Sequence, residues 1–219
     1  MVAAARWITR AAMTDMHLLA AYVAAASILT ITPGVDTAMV LRSAAAGGPR
    51  AGLTAAVGIS TGCLLWGAAI ATGLGALLTA STFAYTVLKC AGSVYLLWLG
   101  TRLLLLPRDG FAAAQDGDIR LNADQSFRHG FLTNILNPKI GIFYVTFLPQ
   151  FIPAGANITN YSLMLSAIHV GIGLVWFAGL ITASVPLRRF LQQPRTTKIL
   201  DRATGSVFLL FGARLAFSK

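Results

Sequence analysis

The sequence has no Glu, seven Asp and a charged fraction of 11% over 219 residues, where a soluble domain carries about a quarter. That scarcity excludes an ordinary water-soluble globule and leaves lipid as the solvent. Its two cysteines, Cys63 and Cys90, both fall inside apolar runs, which excludes a disulfide framework or a multi-cysteine metal site and leaves packing roles. The three histidines are scattered, so no metal spacing is present. No phosphate loop and no serine elbow in its usual strand-to-helix context can be found either. No cofactor is expected and an enzyme is the weakest reading.

What the chain does have is 56% hydrophobic residues and a net charge of +10. The basic residues lie mostly between apolar runs, which argues against a nucleic-acid partner and for loop anchors at a bilayer. Six apolar stretches, about 17–41, 52–79, 82–106, 131–152, 161–187 and 199–217, are each long enough for a membrane helix. Residues 1–16 carry Arg6 and Arg10 but too short an apolar core for a signal peptide. Met13 or Met16 is therefore an alternative start to Met1.

Orientation follows from the loops. Residues 42–51, 107–130 and 188–198 hold two, three and four Lys or Arg, and 80–81 and 153–160 hold none. By the positive-inside rule the basic loops face the cytoplasm, which places both termini outside if all six stretches span. The 107–130 loop also contains Asp109, Asp116, Asp118 and Asp124 and reads as solvated chain without chemistry of its own.

An internal repeat organises the spans. Lys89 to Trp98, with Gly92, Ser93, Val94 and Tyr95, matches Arg202 to Phe211, with Gly205, Ser206, Val207 and Phe208. Residues 17–106 and 131–219 then form two three-helix units, and an odd helix count makes them oppositely oriented. The expected fold is an all-α integral membrane protein of six transmembrane helices as two inverted three-helix repeats.

The repeat predicts matching interruptions. The first span is broken at Thr32-Pro33-Gly34-Val35-Asp36 and the fourth at Asn134-Ile135-Leu136-Asn137-Pro138-Lys139. Proline removes a backbone donor and frees a carbonyl about one turn earlier, tolerable in a membrane only where protein or trapped water completes the hydrogen bonding. Asp36 is the only formally charged residue from His17 to Leu41, and a carboxylate there is functional by default; the plain alternative is a helix cap. Thr32 offers a hydroxyl, Asn134 and Asn137 offer amides, and Lys139 offers a cation to a substrate carboxylate or to Asp36, unless it snorkels. Lys89 and Arg202 are divided between snorkelling and a pathway role, and His169 between packing and proton relay. The small residues of Gly58-Ile59-Ser60-Thr61-Gly62, continued by Gly67, Gly73 and Gly75, suit close helix approach.

Taken together, Thr32-Pro33-Gly34-Val35-Asp36, Lys89-x-x-Gly92-x-x-Tyr95-Leu96 with Gly100, and Asn137-Pro138-Lys139 followed by Pro149-Gln150-Phe151 resemble the LysE/RhtB family of amino-acid exporters over about residues 13–218. The resemblance implies export of basic, neutral or hydroxylated amino acids from the bacterial cytoplasm across the inner membrane, driven by the proton gradient. It carries a pathway role onto Asp36, Asn137, Pro138 and Lys139, and onto Lys89 and Gly92. The family usually has proline where this chain has Val35, so the break here is expected to be softer. Two alternatives stay open: an exporter of another small solute or cation, and a non-transporting scaffold, for which the glycine-lined helices would join copies into a homo-oligomer.

Overall fold

A computed structural model describes residues 2–107, 122–153, 155–182 and 193–217, with side chains from Met16 onward except at 74–80, 82, 84, 85, 88 and 89. It is all-helical among the described residues. In chain order these are α1 (Val2–Ile31), α2 (Val35–Ala80), α3 (Thr82–Leu105), α4 (Ala123–Ile135), α5 (Pro138–Ile142), α6 (Ile158–Thr182) and α7 (Pro194–Phe217). Between α5 and α6 the chain continues as a π-helical turn, Phe143–Phe147, and a 3-10 turn, Leu148–Phe151. Pro149 explains the change of winding, because it leaves the Val145 carbonyl without its α-helical donor. Most of the 107–130 loop, with Asp109, Asp116 and Asp118, lies outside the described residues. Asn122 and Gln125 cap α4 reciprocally at its start, so helix begins eight residues ahead of the apolar stretch at 131.

Two helices are long and apolar enough to cross a membrane among the described residues, Val35–Gly73 and Ile158–Thr182. The bent pair Ala123–Ile135 and Pro138–Phe151 makes a third if counted as one span, and Met16–Ile31 and Cys90–Leu105 are shorter apolar helices. The described residues are thus all-helical, with apolar helices that fit a membrane protein. Both interruptions read from the sequence are present: α1 stops before Thr32-Pro33-Gly34, and the α4–α5 pair bends by 52° at Leu136-Asn137. A further kink falls within α2 at Gly48-Pro49, where Gly48 takes φ 77°, a left-handed conformation open to glycine at no steric cost.

Small residues set how the helices meet. α2 and α6 run antiparallel: a Cβ on Gly52 would lie 3.2 Å from Ile181, Gly67 faces Ser166, and Thr159 Oγ1 donates to Ala71 O at 3.0 Å. α3 and α7 are likewise antiparallel, with Ser93 Oγ donating to Gly212 O at 2.8 Å and Gly100 and Gly205 each placing a notional Cβ 2.8 Å from the other's carbonyl oxygen. The matched stretches of the internal repeat therefore pack on each other head to tail. α4 instead runs alongside α2 in the same direction, with Gly58 against the backbone of Phe127 and Phe131 and Gly130 against that of Ala55. Gly73 has nothing within 4 Å, so it takes no part in this packing.

The core is aromatic where the broken helices converge. Tyr22, Phe143, Phe147, Phe151 and Phe211 are all buried, with ring centroids such as Tyr22–Phe151 at 5.3 Å and Phe147–Phe211 at 4.3 Å. Tyr22 Oη donates to Leu165 O at 2.8 Å, which ties α1 to α6.

Candidate functional site

Pro33 determines the chemistry of the first break. It has no N–H, so the carbonyl of Leu29, four residues earlier, loses its helical donor. Lys139 fills that place from the other broken helix: its Nζ donates to Leu29 O at 2.9 Å and to Thr32 O at 3.2 Å. A cation at the C-terminal end of a helix also suits the helix dipole. Thr32 itself is buried, and its Oγ1 donates to Ile28 O at 2.6 Å and makes a short contact with Thr204 Oγ1 of α7. The end of the lysine lies beside Gly34, where a Cβ would stand 3.8 Å from Nζ, an ordinary contact.

Asp36 lies in the first turn of α2, where the exposed N–H groups favour a carboxylate. Both of its oxygens are occupied. Asn134 Nδ2 donates to Oδ2 at 2.8 Å and Asn137 Nδ2 to Oδ1 at 3.1 Å. Asp36 is 9% exposed, Asn134 0% and Asn137 6%, so these are charge-assisted bonds in a setting from which water is largely excluded, each contributing about 1.5–3 kcal/mol. Asn137 serves a second purpose: its Oδ1 accepts from Lys139 N at 3.1 Å and caps α5, with Pro138 at the first helical position. One residue thus starts α5 and holds Asp36.

Asn134 reaches Asp36 because α2 presents glycine to it. A Cβ on Gly62 would lie 2.5 Å from Asn134 Oδ1 and 3.1 Å from its Cβ. The amide nitrogen also lies 3.4 Å from Cys63 Sγ.

A cavity of about 40 Å³ opens between these groups, lined by Leu29, Thr32, Gly34, Asp36, Asn137 and Lys139 together with Ile59, Cys63, His169, Gly173 and Phe177. At about 10–15 Å³ for each water it holds about three. Of the residues expected from the sequence, Thr32, Gly34, Asp36, Asn137 and Lys139 meet at its wall, Pro33 and Pro138 shape the two helix ends behind it, and Asn134 supports it through Asp36. Gly92 does not reach it: a Cβ there would overlap the Thr146 side chain, and the residue's place is the contact of α3 with the π-helical turn. Lys89 is on α3, and its side chain lies outside the described residues.

Three further polar groups are buried around the site, of which the sequence marks His169 for packing or proton relay. His169 is buried, lines the cavity and shares a hydrogen bond with Tyr144 Oη at 3.1 Å through Nδ1. Cys63, assigned to packing, also faces the cavity. Asp201 is 0% exposed on the buried face of α7 with Thr197 and Thr204, a second buried carboxylate. Helical spacing carried part of this signal: Ile59 and Cys63 on α2, and His169, Gly173 and Phe177 on α6, recur every four residues on one face.

Residues 27–219 match the family model described as LysE type translocator. The chain is 30% identical over 210 residues to an uncharacterised membrane protein of Bacillus subtilis, covering 93% of this chain and 100% of that protein. It is 28% identical over 205 residues to a homoserine/homoserine lactone efflux protein of Salmonella typhimurium, covering 91% and 96%. A leucine efflux protein of an Enterobacter species is 28% identical over 199 residues, covering 89% and 93%. No solved structure matches the chain.

Proposed function

The chain belongs to the LysE type translocator family, a membrane transporter family rather than an enzyme family, and from that premise we propose that it exports amino acids or close derivatives across the bacterial inner membrane by proton antiport. The observation that carries this reading is the Asp36 carboxylate, held inside a cavity by two amides from the opposite broken helix at 2.8 and 3.1 Å. A single carboxylate is neutralised either by a substrate ammonium or by a proton, and mutual exclusion at one group is sufficient for exchange. Asn137 and Lys139 bind the substrate carboxylate or balance Asp36 when the site is vacated. Relatives named for homoserine and leucine efflux support an amino acid as cargo.

In the proposed arrangement six helices span as two inverted three-helix units, and the basic loops face the cytoplasm with both termini outside. The antiparallel contacts of α2 with α6 and of α3 with α7 support it, because a two-fold axis in the membrane plane relates each helix to an antiparallel mate. A cavity of about 40 Å³ is too small for an amino acid, so the site opens to one side at a time, with movement at the breaks at residues 32–34 and 136–137. The test is an untargeted comparison of metabolites outside bacteria that do and do not express the chain. Accumulation of one or more amino acids is expected, and a medium unchanged in every amino acid and derivative contradicts the proposal.

A further inference from the structure

The Leu29 and Thr32 carbonyls are an unusual pair of acceptors. The first is freed by Pro33 and the second ends α1; both are aimed at one point, and that point holds a primary ammonium, Lys139 Nζ, at 2.9 and 3.2 Å. The ammonium arrives from α5, at the start of the second broken helix, on a flexible four-carbon stem. The same cavity wall includes Asp36. A primary ammonium has three donors and no acceptor, and two converging carbonyls beside a carboxylate form a set suited to such a cation.

We propose that Leu29 O and Thr32 O form a binding site for a small primary ammonium, which Lys139 fills from within in this structure and from which a free ammonium can displace it. Lys139 is then an internal competitor and not only a fixed counter-charge. On the export reading the incoming group is the α-amino group of the substrate, and this identification rests on that reading; the existence of the site does not. Gly34 fits the proposal, since a notional Cβ would meet nothing nearer than Nζ at 3.8 Å, so the site is bordered by open space on the side of the cavity.

The experiment uses the full-length protein in detergent, wild type and Lys139→Ala, with its thermal unfolding followed against methylammonium chloride and, at equal ionic strength, choline chloride. In Lys139→Ala, methylammonium at ten times its Kd is expected to raise the midpoint by about 3–6 °C for a chain of this size, while choline, which has no N–H, raises it no more than it does in the wild type. An equal response to the two salts overturns the proposal. If Lys139→Ala is recovered unfolded, methylammonium present during extraction is expected to restore a folded fraction, and failure to restore one overturns the proposal equally. Lys139→Arg, which keeps a cation at the site, is expected to lack the methylammonium response. Methylammonium binding without any amino-acid efflux would leave this site standing and remove the export reading; efflux without methylammonium binding would do the reverse.

Discussion

Lys139 Nζ stands 2.9 Å from the carbonyl oxygen of Leu29, the acceptor that Pro33 deprives of its helical donor. The defect in one broken helix is thereby repaired by a residue at the start of the other. Removing the lysine by Lys139→Met leaves that carbonyl without this donor, at a cost of about 1–3 kcal/mol. Pro33→Ala returns an N–H to position 33. In a double-mutant cycle followed by thermal unfolding, Lys139→Met is therefore expected to cost less in the Pro33→Ala background than in the wild type, and additive costs would contradict the relationship.

The two asparagines differ in what they support. Asn134→Leu removes one donor to Asp36, a loss of about 1.5–3 kcal/mol for a charge-assisted bond, and leaves the start of α5 intact. Asn137→Leu removes the other donor and the cap of α5, adding about 0.5–2 kcal/mol. Unfolding midpoints of the purified variants should fall in the order wild type, Asn134→Leu, Asn137→Leu. Asn134→Asp sets a second carboxylate against Asp36 and is expected to export less well than Asn134→Leu.

Gly62 and Gly73 provide a paired comparison on one helix. Gly62→Ala removes no polar atom, yet its methyl group would press on Asn134 Oδ1 at 2.5 Å and shift the amide from Asp36, with an overpacking cost of about 1–3 kcal/mol. Gly73→Ala meets nothing within 4 Å and is expected to be neutral or slightly stabilising through helix propensity. Efflux by cells expressing each variant should fall for Gly62→Ala and hold for Gly73→Ala.

Much of this site was legible in the sequence because its makers are local. Pro33 and Pro138 announce the breaks, and Asp36, Asn137 and Lys139 are polar residues inside apolar runs, where only a partner or a function accounts for them. The pairing within the site was not legible. The sequence offered Lys139 as a partner for Asp36, and the two charges do lie within electrostatic reach of each other; the hydrogen bonds to Asp36 come from Asn134 and Asn137, while Lys139 donates to two backbone carbonyls, because a freed carbonyl is a competing acceptor with no sequence letter of its own. Asn134, to which the family resemblance gave no pathway role, makes the shorter bond to Asp36; its position depends on Gly62, 72 positions earlier in the chain. Gly92 shares a repeated motif with Gly205, and the repeat is a helix-packing signal. That is why Gly92 lies against Thr146 and away from the cavity.

The most direct test of the central claim is amino-acid efflux from preloaded vesicles carrying the purified protein under an imposed proton gradient, comparing wild type with Asp36→Asn. The substitution keeps the size of the side chain and removes its charge. Proton-coupled efflux is expected to drop about ten- to hundredfold, the rate equivalent of one charge-assisted contact, while the variant still inserts and unfolds cooperatively, at a midpoint lowered by the loss of its charge-assisted bonds. Efflux that is unchanged and still coupled to the gradient would remove Asp36 from the mechanism and contradict the account.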